Sequence, residues 1–232
     1  MNPVSVVIPW RPQPSRIDAF ERLTAWYARE LPDVPVRTVD STDPVFNLAH
    51  CRNLAVANAV PGEVIVLNDA DTIPEVRPLR AAIHAAGVDR RVHLPYTEYR
   101  WLGRDGSGQY ANGTPLEDCS FELVLGACSG VYVTTPEAWH AHGGQDERFR
   151  GWGFEDAAWN LAHSTLLGSP PARHEGRVFA LHHVGADRFG DQYEANAALM
   201  ERYRSVAGDP SGMASLVGEA PSAERARSGP GS

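Results

Sequence analysis

Residues 64–74, VIVLNDADTIP, join a run of apolar residues directly to a turn that carries two carboxylates. The apolar run predicts a buried strand over 63–67, and in an open parallel sheet ligands bind beyond the carboxyl ends of the strands. Asp69 and Asp71 stand at that end. Two carboxylates at this spacing can share one hard divalent cation, although Asp and Asn are also common turn residues. The stretch therefore predicts either a cation site or an ordinary turn.

The first half of the chain alternates between strand and helix patterns. Apolar runs and helical spacing predict strands at 4–8, 34–39 and 91–95 and helices after Ser15, over 47–59 and over 77–86. Strands that alternate with helices of this length predict a doubly wound, mainly parallel α/β sheet with helices on both faces.

The second half is less regular. Residues 103–115, GRDGSGQYANGTP, predict a long polar loop, and 121–134 are strand-like. Further patterns predict helices over 136–141, 155–167 and 191–205 and a strand over 177–183. From 206 to 232 the chain is rich in Gly, Ser, Pro, Ala and charge without periodicity, which predicts a disordered tail. We therefore expect one domain over residues 1–205.

Composition narrows the function. The net charge of -8 argues against nucleic acid or an anionic membrane as a partner, and no apolar run approaches the ~18 residues of a membrane span. The chain has no lysine, which excludes P-loop NTPases, Schiff-base enzymes and protein kinases of the usual kind. No signal peptide is visible, and the three cysteines indicate reduced thiols, so a cytoplasmic protein is expected.

A second motif lies at 143–159, GGQDERFRGWGFEDAAW. Its glycines permit tight turns, and Trp152 offers a flat apolar surface of the kind that stacks on a sugar face. Glu155 and Asp156 open the predicted helix. The helix dipole favours a carboxylate there, so capping alone could explain one of them but not the Trp-Gly-Phe-Glu-Asp string before the helix.

A third motif, FALHHVG at 179–185, ends a predicted strand in two histidines. Because strand side chains alternate between faces, only one of His182 and His183 can point at a site beyond the strand. A single strand histidine is usually structural, but a cation site that needs a further ligand makes one of this pair a candidate.

The motifs, taken in order, resemble a known family. The strings VSVVIPW, AHCRNLAVANA, VIVLNDAD, GGQDERFRGWGFED and LHH, with Asp40 at a strand end, resemble metal-dependent glycosyltransferases of the GT-A fold. The likeness covers residues 4 to about 185 and is strongest to the family 2 group, including small actinobacterial and phage enzymes that begin IPWR. The GWGFED string also resembles the C-terminal motif of β-1,4-galactosyltransferases. This resemblance implies a nucleotide-sugar donor, most often a UDP-sugar, and Mn²⁺ or Mg²⁺ as cofactor.

The resemblance also implies roles for single residues. Those on the nucleotide side of the donor site are Pro9, Trp10, Arg11, Asp40, Arg52 and Asp69. The metal ligand is Asp71 together with His183, with His182 as the alternative and Asp69 as a possible further ligand. Asp156 is the implied catalytic base of an inverting transfer. Trp152 and Glu155 are the implied contacts to the acceptor or to the donor sugar.

The sequence departs from the family pattern at three places. The usual DDGS after the second strand is replaced by VDSTD at 39–43, which puts the contact of Asp40 with the base in doubt. Phe154 stands where relatives carry glycine, which is expected to narrow the acceptor site. Ala157 and Ala158 replace acids that relatives often carry.

Two other functions fit parts of the pattern. A non-catalytic protein that binds a nucleotide sugar or glycan on the same fold would keep Trp152 and Asp71 but would not need Asp156. A sugar-1-phosphate nucleotidylyltransferase would need a glycine-rich N-terminal loop ending in lysine, and residues 9–15, PWRPQPS, contain neither. For a transferase, a glycan, a protein side chain or a small molecule is the expected acceptor. The acidic charge and the lack of a membrane span weigh against a lipid carrier or a modified nucleobase.

Overall fold

The computed structural model describes residues 2–89, 91–151, 153–185 and 189–220. Within these ranges ten strands form two sheets, one in the order β2-β1-β3-β8-β5-β9 and one in the order β4-β10-β6-β7. The strands are β1 (Val4–Pro9), β2 (Val36–Val39), β3 (Val64–Asn68), β4 (Thr72–Pro74), β5 (His93–Leu94), β6 (Glu98–Leu102), β7 (Glu122–Leu123), β8 (Val131–Thr134), β9 (Ala172–Arg173) and β10 (Arg177–Leu181).

Helices connect the strands and close the C-terminal part. They are α1 (Ile17–Glu30), α2 (Leu48–Ala57), α3 (Val76–Ala86), α4 (Gly103–Ala111), α5 (Pro136–Ala141), α6 (Glu155–Leu166), α7 (Asp191–Ser205) and α8 (Pro210–Gly218). In the described ranges, none of them combines the length and the apolar character that crossing a bilayer requires.

The structure confirms the predicted mainly parallel α/β fold. Strand β1 pairs in parallel with β2 and β3, and β5 pairs in parallel with β9. Strand β8 runs antiparallel between β3 and β5, which the alternating pattern did not indicate. All five residues of β3 are buried because the strand lies between two neighbours in the larger sheet.

Two predictions for the middle of the chain are wrong. Helix α4 occupies 103–111, where glycine and polar residues predicted a loop. A Cβ atom at Gly106 would lie 2.0 Å from the carbonyl oxygen of Ser120, so this glycine permits close packing of α4 rather than a flexible turn. The predicted strand over 121–134 is split into β7 and β8. Gly126 lies in the intervening segment with a φ of 70°, a conformation that a strand does not adopt.

The prediction of a disordered tail from residue 206, and of a domain ending at 205, is wrong for residues 206–220. The Asp209 side chain caps helix α8 by accepting a hydrogen bond from the backbone N–H of Ser211. Met213 and Leu216 are buried in a second apolar cluster with residues of α6 and α7. Two apolar anchors in a short helix are too few to give a periodic pattern. Residues 221–232 lie outside the described residues.

An aromatic cluster around Trp139 and Trp159 contains two buried histidines, His142 and His163. The ring of His142 lies 5.3 Å from Trp139 and 5.7 Å from Trp159 between centroids. Among the described residues, neither ring nitrogen of His142 has a hydrogen-bond partner. Burial lowers the pKa of His142 to about 3 and that of His163 to about 4, so both are neutral in the folded protein at pH 7.

We expect these histidines to make the protein acid-labile. In the unfolded chain a histidine takes up a proton as the pH falls through about 6.5, whereas the folded protein keeps both rings neutral to much lower pH. The free energy of unfolding is therefore unaffected above pH 7, and each ring lowers it by about 2 kcal/mol between pH 7.5 and 5. His142→Phe should remove the contribution of one ring, so its free energy of unfolding should fall by about 2 kcal/mol less between pH 7.5 and 5 than that of the native protein. Urea denaturation at the two pH values measures this difference. The exposed His84→Gln is the control, and an equal loss in native protein and His142→Phe would contradict the prediction.

Candidate active site

A cavity of about 910 Å³ opens at the carboxyl ends of β1 and β3. Its walls come from segment 9–16, from the turn after β3, from the loop after β7 and from the start of α6. Eight of the residues that the sequence singled out line it: Pro9, Trp10, Arg11, Asp69, Asp71, Glu155, Asp156 and His183. Motifs far apart in the sequence thus meet around one space.

A buried amide fixes the turn that follows β3. The Oδ1 atom of Asn68 accepts a hydrogen bond from the Tyr27 hydroxyl at 2.5 Å. The Nδ2 atom of Asn68 donates to the carbonyl oxygens of Asp69 and Thr72, both at 2.8 Å. One side chain thus holds the two ends of the turn together. The buried strand therefore runs into polar residues because Asn68 closes a turn that places Asp69 and Asp71 on the cavity wall.

Asp71 and His183 lie side by side at this wall. The Nδ1 atom of His183 is 2.8 Å from Oδ2 of Asp71, whose side chain is only 9% exposed. Arg16 contacts both residues, with Nη2 at 2.7 Å from Nε2 of His183 and Nη1 at 3.6 Å from Oδ2 of Asp71. Burial opposes the charged form of Asp71, but the contacts with His183 and Arg16 outweigh it and hold its pKa below the usual value.

The remaining two of the residues proposed near the metal or the sugar are His182 and Trp152. The backbone N–H of His182 donates to the Ser107 hydroxyl at 2.8 Å, and His182 does not line the cavity. The structure therefore brings His183, and not the alternative His182, next to Asp71. Trp152 lies outside the described residues.

Arg52 lies beneath the cavity, with a side chain that is fully buried. Its Nη2 donates to Asp69 at 2.5 Å, and its Nη1 donates to Asp156 at 2.8 Å and to Oε1 of Gln145 at 2.9 Å. The guanidinium also stacks over the Tyr132 ring at 4.7 Å. Arg52 is not among the residues that line the cavity, and its contact with the nucleotide stays a prediction. Helix α2 directs the side chain under the sheet edge, where it joins two carboxylates from distant parts of the chain.

Asp156 is held through one oxygen at the start of α6. Its Oδ1 atom accepts hydrogen bonds from Arg52 and from the Tyr132 hydroxyl, with the Gln145 amide at 3.5 Å. Among the described residues, none donates a hydrogen bond to Oδ2. One oxygen is thus fixed by the protein, and the other remains able to take a proton or a hydrogen bond from a ligand in the cavity.

The residue before this helix adopts a strained backbone. Phe154 has a φ of 74°, the left-handed conformation that favours glycine, and its ring packs 5.3 Å from that of Tyr193 on α7. The glycine that relatives carry at this position suits this conformation without strain. Phe154 lines the cavity, and its narrowing of an acceptor site stays a prediction.

Burial changes the protonation of two other cavity carboxyls. It raises the pKa of Asp69 to about 6, although Arg52 acts in the opposite direction. It also raises the pKa of Glu155 to about 8, and the neighbouring charge of Asp156 adds to this effect. Glu155 is therefore mostly protonated at pH 7 and can donate a hydrogen bond, whereas Asp69 is mostly ionised.

Segment 9–16, which follows β1, forms the cavity wall that carries Trp10 and Arg11. Trp10 stacks on Phe20 with ring centroids 4.1 Å apart, which turns the indole into a fixed surface. Asp40 does not line the cavity; its carboxylate accepts hydrogen bonds from Nε of Arg11 at 3.0 and 3.1 Å. Arg11 does line it, so Asp40 acts on the cavity through the orientation of Arg11.

Three residues of this site were not predicted from the sequence: Arg16, Tyr132 and Gln145. Arg16 gave a weak signal, because it is a cation at the start of a helix, where a positive charge is unfavourable. Tyr132 and Gln145 gave none, because their contacts with Asp156 depend on how β8 and the 143–154 segment pack together.

The family resemblance implies a divalent cation, and the residues present fit one. Within the described residues no group of three or more His, Cys, Asp or Glu side chains is arranged to hold a metal ion. Asp71 and His183, however, form an adjacent carboxylate–imidazole pair at the cavity wall, and the Nδ1 atom of His183 has no hydrogen bond of good geometry. Such a pair suits Mn²⁺ or Mg²⁺ when a diphosphate and water supply the other ligands.

Comparison with known proteins identifies the fold. No protein-family model and no curated protein matches the sequence. Drosophila β-1,4-galactosyltransferase 7, in a mutant form with manganese, UDP-Gal and xylobiose, has a TM-score of 0.56 at 14% identity, covering 84% of this chain and 79% of its own. The catalytic domain of the same enzyme with xylobiose has a TM-score of 0.53 at 14% identity, covering 85% of this chain and 80% of its own. GalNAc-T7 with UDP, GalNAc and Mn²⁺ has a TM-score of 0.54 at 11% identity, covering 96% of this chain but 56% of its own. The chain therefore has the fold of the GT-A glycosyltransferases.

Proposed function

We propose that this protein is a metal-dependent glycosyltransferase that moves a sugar from a nucleotide sugar, by preference a UDP-sugar, to an acceptor hydroxyl. The observation that carries the proposal is a single cavity with Asp71 and His183 at one wall and Asp156 at another. Two structures of the same fold contain manganese with UDP-Gal or with UDP. This supports a UDP-sugar as donor and Mn²⁺, or Mg²⁺ in its place, as cofactor.

The donor side uses the edge formed by β1 and β3. The base and ribose lie against the fixed indole of Trp10 and beside Pro9 and Arg11, with Asp69 toward the ribose. Asp71 and His183 would hold the cation, which when bound would supply positive charge to stabilise the diphosphate as the bond to the sugar breaks. Arg52 keeps Asp69 in position from below.

The acceptor side is the start of α6. As the acceptor hydroxyl attacks the sugar, it must lose its proton, and Oδ2 of Asp156 is the atom that takes it. Because Oδ1 is held by Arg52 and Tyr132, the carboxylate keeps one orientation toward the cavity. Attack from the face opposite the diphosphate inverts the anomeric carbon. Glu155, protonated at pH 7, donates a hydrogen bond to a sugar hydroxyl, and Trp152 gives a stacking surface for the sugar.

The acceptor is proposed only as a class, namely a glycan, a protein side chain or a small molecule. The Drosophila enzyme of similar fold is solved with xylobiose, which favours a saccharide. The cytoplasm is the proposed location, and the three free cysteines are in keeping with it.

The test of the cation assignment is Asp71→Asn. We expect this change to abolish the Mn²⁺-dependent part of UDP binding, because a neutral amide is a poor ligand for a hard cation. Calorimetric titration of UDP with and without Mn²⁺ measures it, with circular dichroism to show that the protein is folded. Asp18→Asn, on the exposed face of α1, is the matched control. UDP affinity that responds to Mn²⁺ equally in native protein and Asp71→Asn would refute the assignment.

A screen of nucleotide sugars for slow hydrolysis in the presence of Mn²⁺ then identifies the donor.

A further inference from the structure

Arg16 is the only arginine that the structure, over its described residues, places in contact with both Asp71 and His183. It sits at the N-cap of α1, where Ser, Thr, Asp or Asn is favoured and where a positive charge opposes the helix dipole. Its side chain makes no capping hydrogen bond. A residue that breaks a local rule of helix formation in this way is usually placed by a function.

The contacts of His183 show which of its two ring nitrogens Arg16 uses. Nδ1 lies 2.8 Å from Oδ2 of Asp71, with no hydrogen bond of good geometry between them. Nε2 lies 2.7 Å from Nη2 of Arg16, which can only donate, so Nε2 is the acceptor. The guanidinium therefore occupies the lone pair of Nε2, and a neutral imidazole then carries its proton on Nδ1, so neither nitrogen can bind a metal ion while Arg16 stays in place.

The same guanidinium also lies against the carboxylate of the pair. Its Nη1 is 3.6 Å from Oδ2 of Asp71, and Arg16 lines the cavity with 30% of its side chain exposed. A divalent cation bound to Asp71 and His183 would face this positive charge within a few ångströms. Two cations cannot share one carboxylate and one lone pair without strong repulsion.

We propose that Arg16 competes with the divalent cation for Asp71 and His183 and that the donor diphosphate resolves the competition by taking Arg16 as its own partner. This inference rests on the proposed function. A guanidinium forms bidentate hydrogen bonds with phosphate oxygens and already faces the cavity. Transfer of Arg16 to the diphosphate frees Nε2 and Oδ2, so the site takes up the cation together with its nucleotide rather than before it.

The proposal predicts opposite effects on two ligands, which a purely structural role does not. Arg16→Gln should tighten the binding of Mn²⁺ alone by about tenfold or more, because it removes the competing charge. It should weaken the binding of UDP without metal by about tenfold, because it removes a phosphate partner. Mn²⁺ is measured by electron paramagnetic resonance of the free ion, and UDP by calorimetry with a chelator present.

Two further variants complete the experiment. Arg22→Gln removes the same charge from a half-buried position on the same helix, where Arg22 pairs with Asp18, and should change neither affinity. Arg16→Lys keeps the positive charge. Its affinity for Mn²⁺ alone and its affinity for UDP without metal should therefore both lie between those of Arg16→Gln and those of the native protein.

Unchanged or weaker Mn²⁺ binding by Arg16→Gln, in a protein whose native form binds Mn²⁺, overturns the role of Arg16 and leaves the proposed function standing. If neither the native protein nor Arg16→Gln binds Mn²⁺, the cation assignment itself fails and the competition falls with it.

Discussion

Replacing Asp156 by asparagine is expected to lower the rate of sugar transfer by ~10²–10⁴-fold while the affinity for UDP and Mn²⁺ stays close to that of the native protein. Asparagine has the shape of the native side chain, and its carbonyl oxygen can still accept the hydrogen bonds from Arg52 and Tyr132. It cannot take a proton from the acceptor. Donor turnover in the presence of acceptor, or hydrolysis of the donor by water, measures the rate, and calorimetry measures the affinity.

A matched control separates catalysis from helix capping. Asp191 is an exposed carboxylate in the first turn of α7, as Asp156 is in the first turn of α6. If Asp156 only favours the helix N-terminus, Asp156→Asn and Asp191→Asn should both change stability by less than ~1 kcal/mol and leave the rate intact. A rate for Asp156→Asn within a few-fold of native would therefore reduce this residue to a cap and would favour a binding protein of the same fold.

The parts of the site that could be predicted from the sequence are those in which the local sequence determines where a side chain lies. A buried strand ending in Asn68 and two carboxylates places those groups at the edge of a parallel sheet, and the structure shows them there. The alternation rule allowed one histidine of the pair to face the site, and His183 does. In each case the residue type, its position at the end of a strand and the direction of its side chain follow from local geometry.

The missed elements depend on packing between distant segments. The glycines of α4 predicted a loop, but Gly106 lies within a helix at a point where Ser120 packs so closely that there is no room for a side chain. Helix α8 carries only two buried anchors, and their burial depends on surfaces supplied by α6 and α7. The antiparallel course of β8 also carries no local signal, because a buried strand has the same apolar pattern in either direction.

Arg52 shows the same limit within the site. Its position in the AHCRNLAVANA string suggested a nucleotide contact, yet the structure buries it between Asp69 and Asp156. The pattern located the residue in the right helix but could not show that the side chain points under the cavity. An arginine that joins Asp69 and Asp156 from below gives the proposed donor side and the proposed acceptor side a shared support.

Replacing Arg52 by methionine is therefore expected to destabilise the protein by about 3–5 kcal/mol, because Asp69 and Asp156 would lose their buried counter-charge. Urea denaturation measures the loss, and Arg22→Met, which breaks an exposed pair with Asp18, should cost less than ~1 kcal/mol. The double variant Arg52→Met with Asp69→Asn should recover part of the loss, since it removes one of the uncompensated charges.

The pH dependence of this loss tests its electrostatic origin. Without Arg52, the pKa of Asp69 should rise above its present value of about 6, while in the unfolded chain it stays near 4. A carboxyl whose pKa is higher in the folded state binds its proton on folding, so lowering the pH through that range stabilises the folded protein. The loss in Arg52→Met should accordingly shrink between pH 8 and pH 5. A loss that is the same at both pH values would mean that Arg52 acts by filling space against Tyr132 and not by its charge.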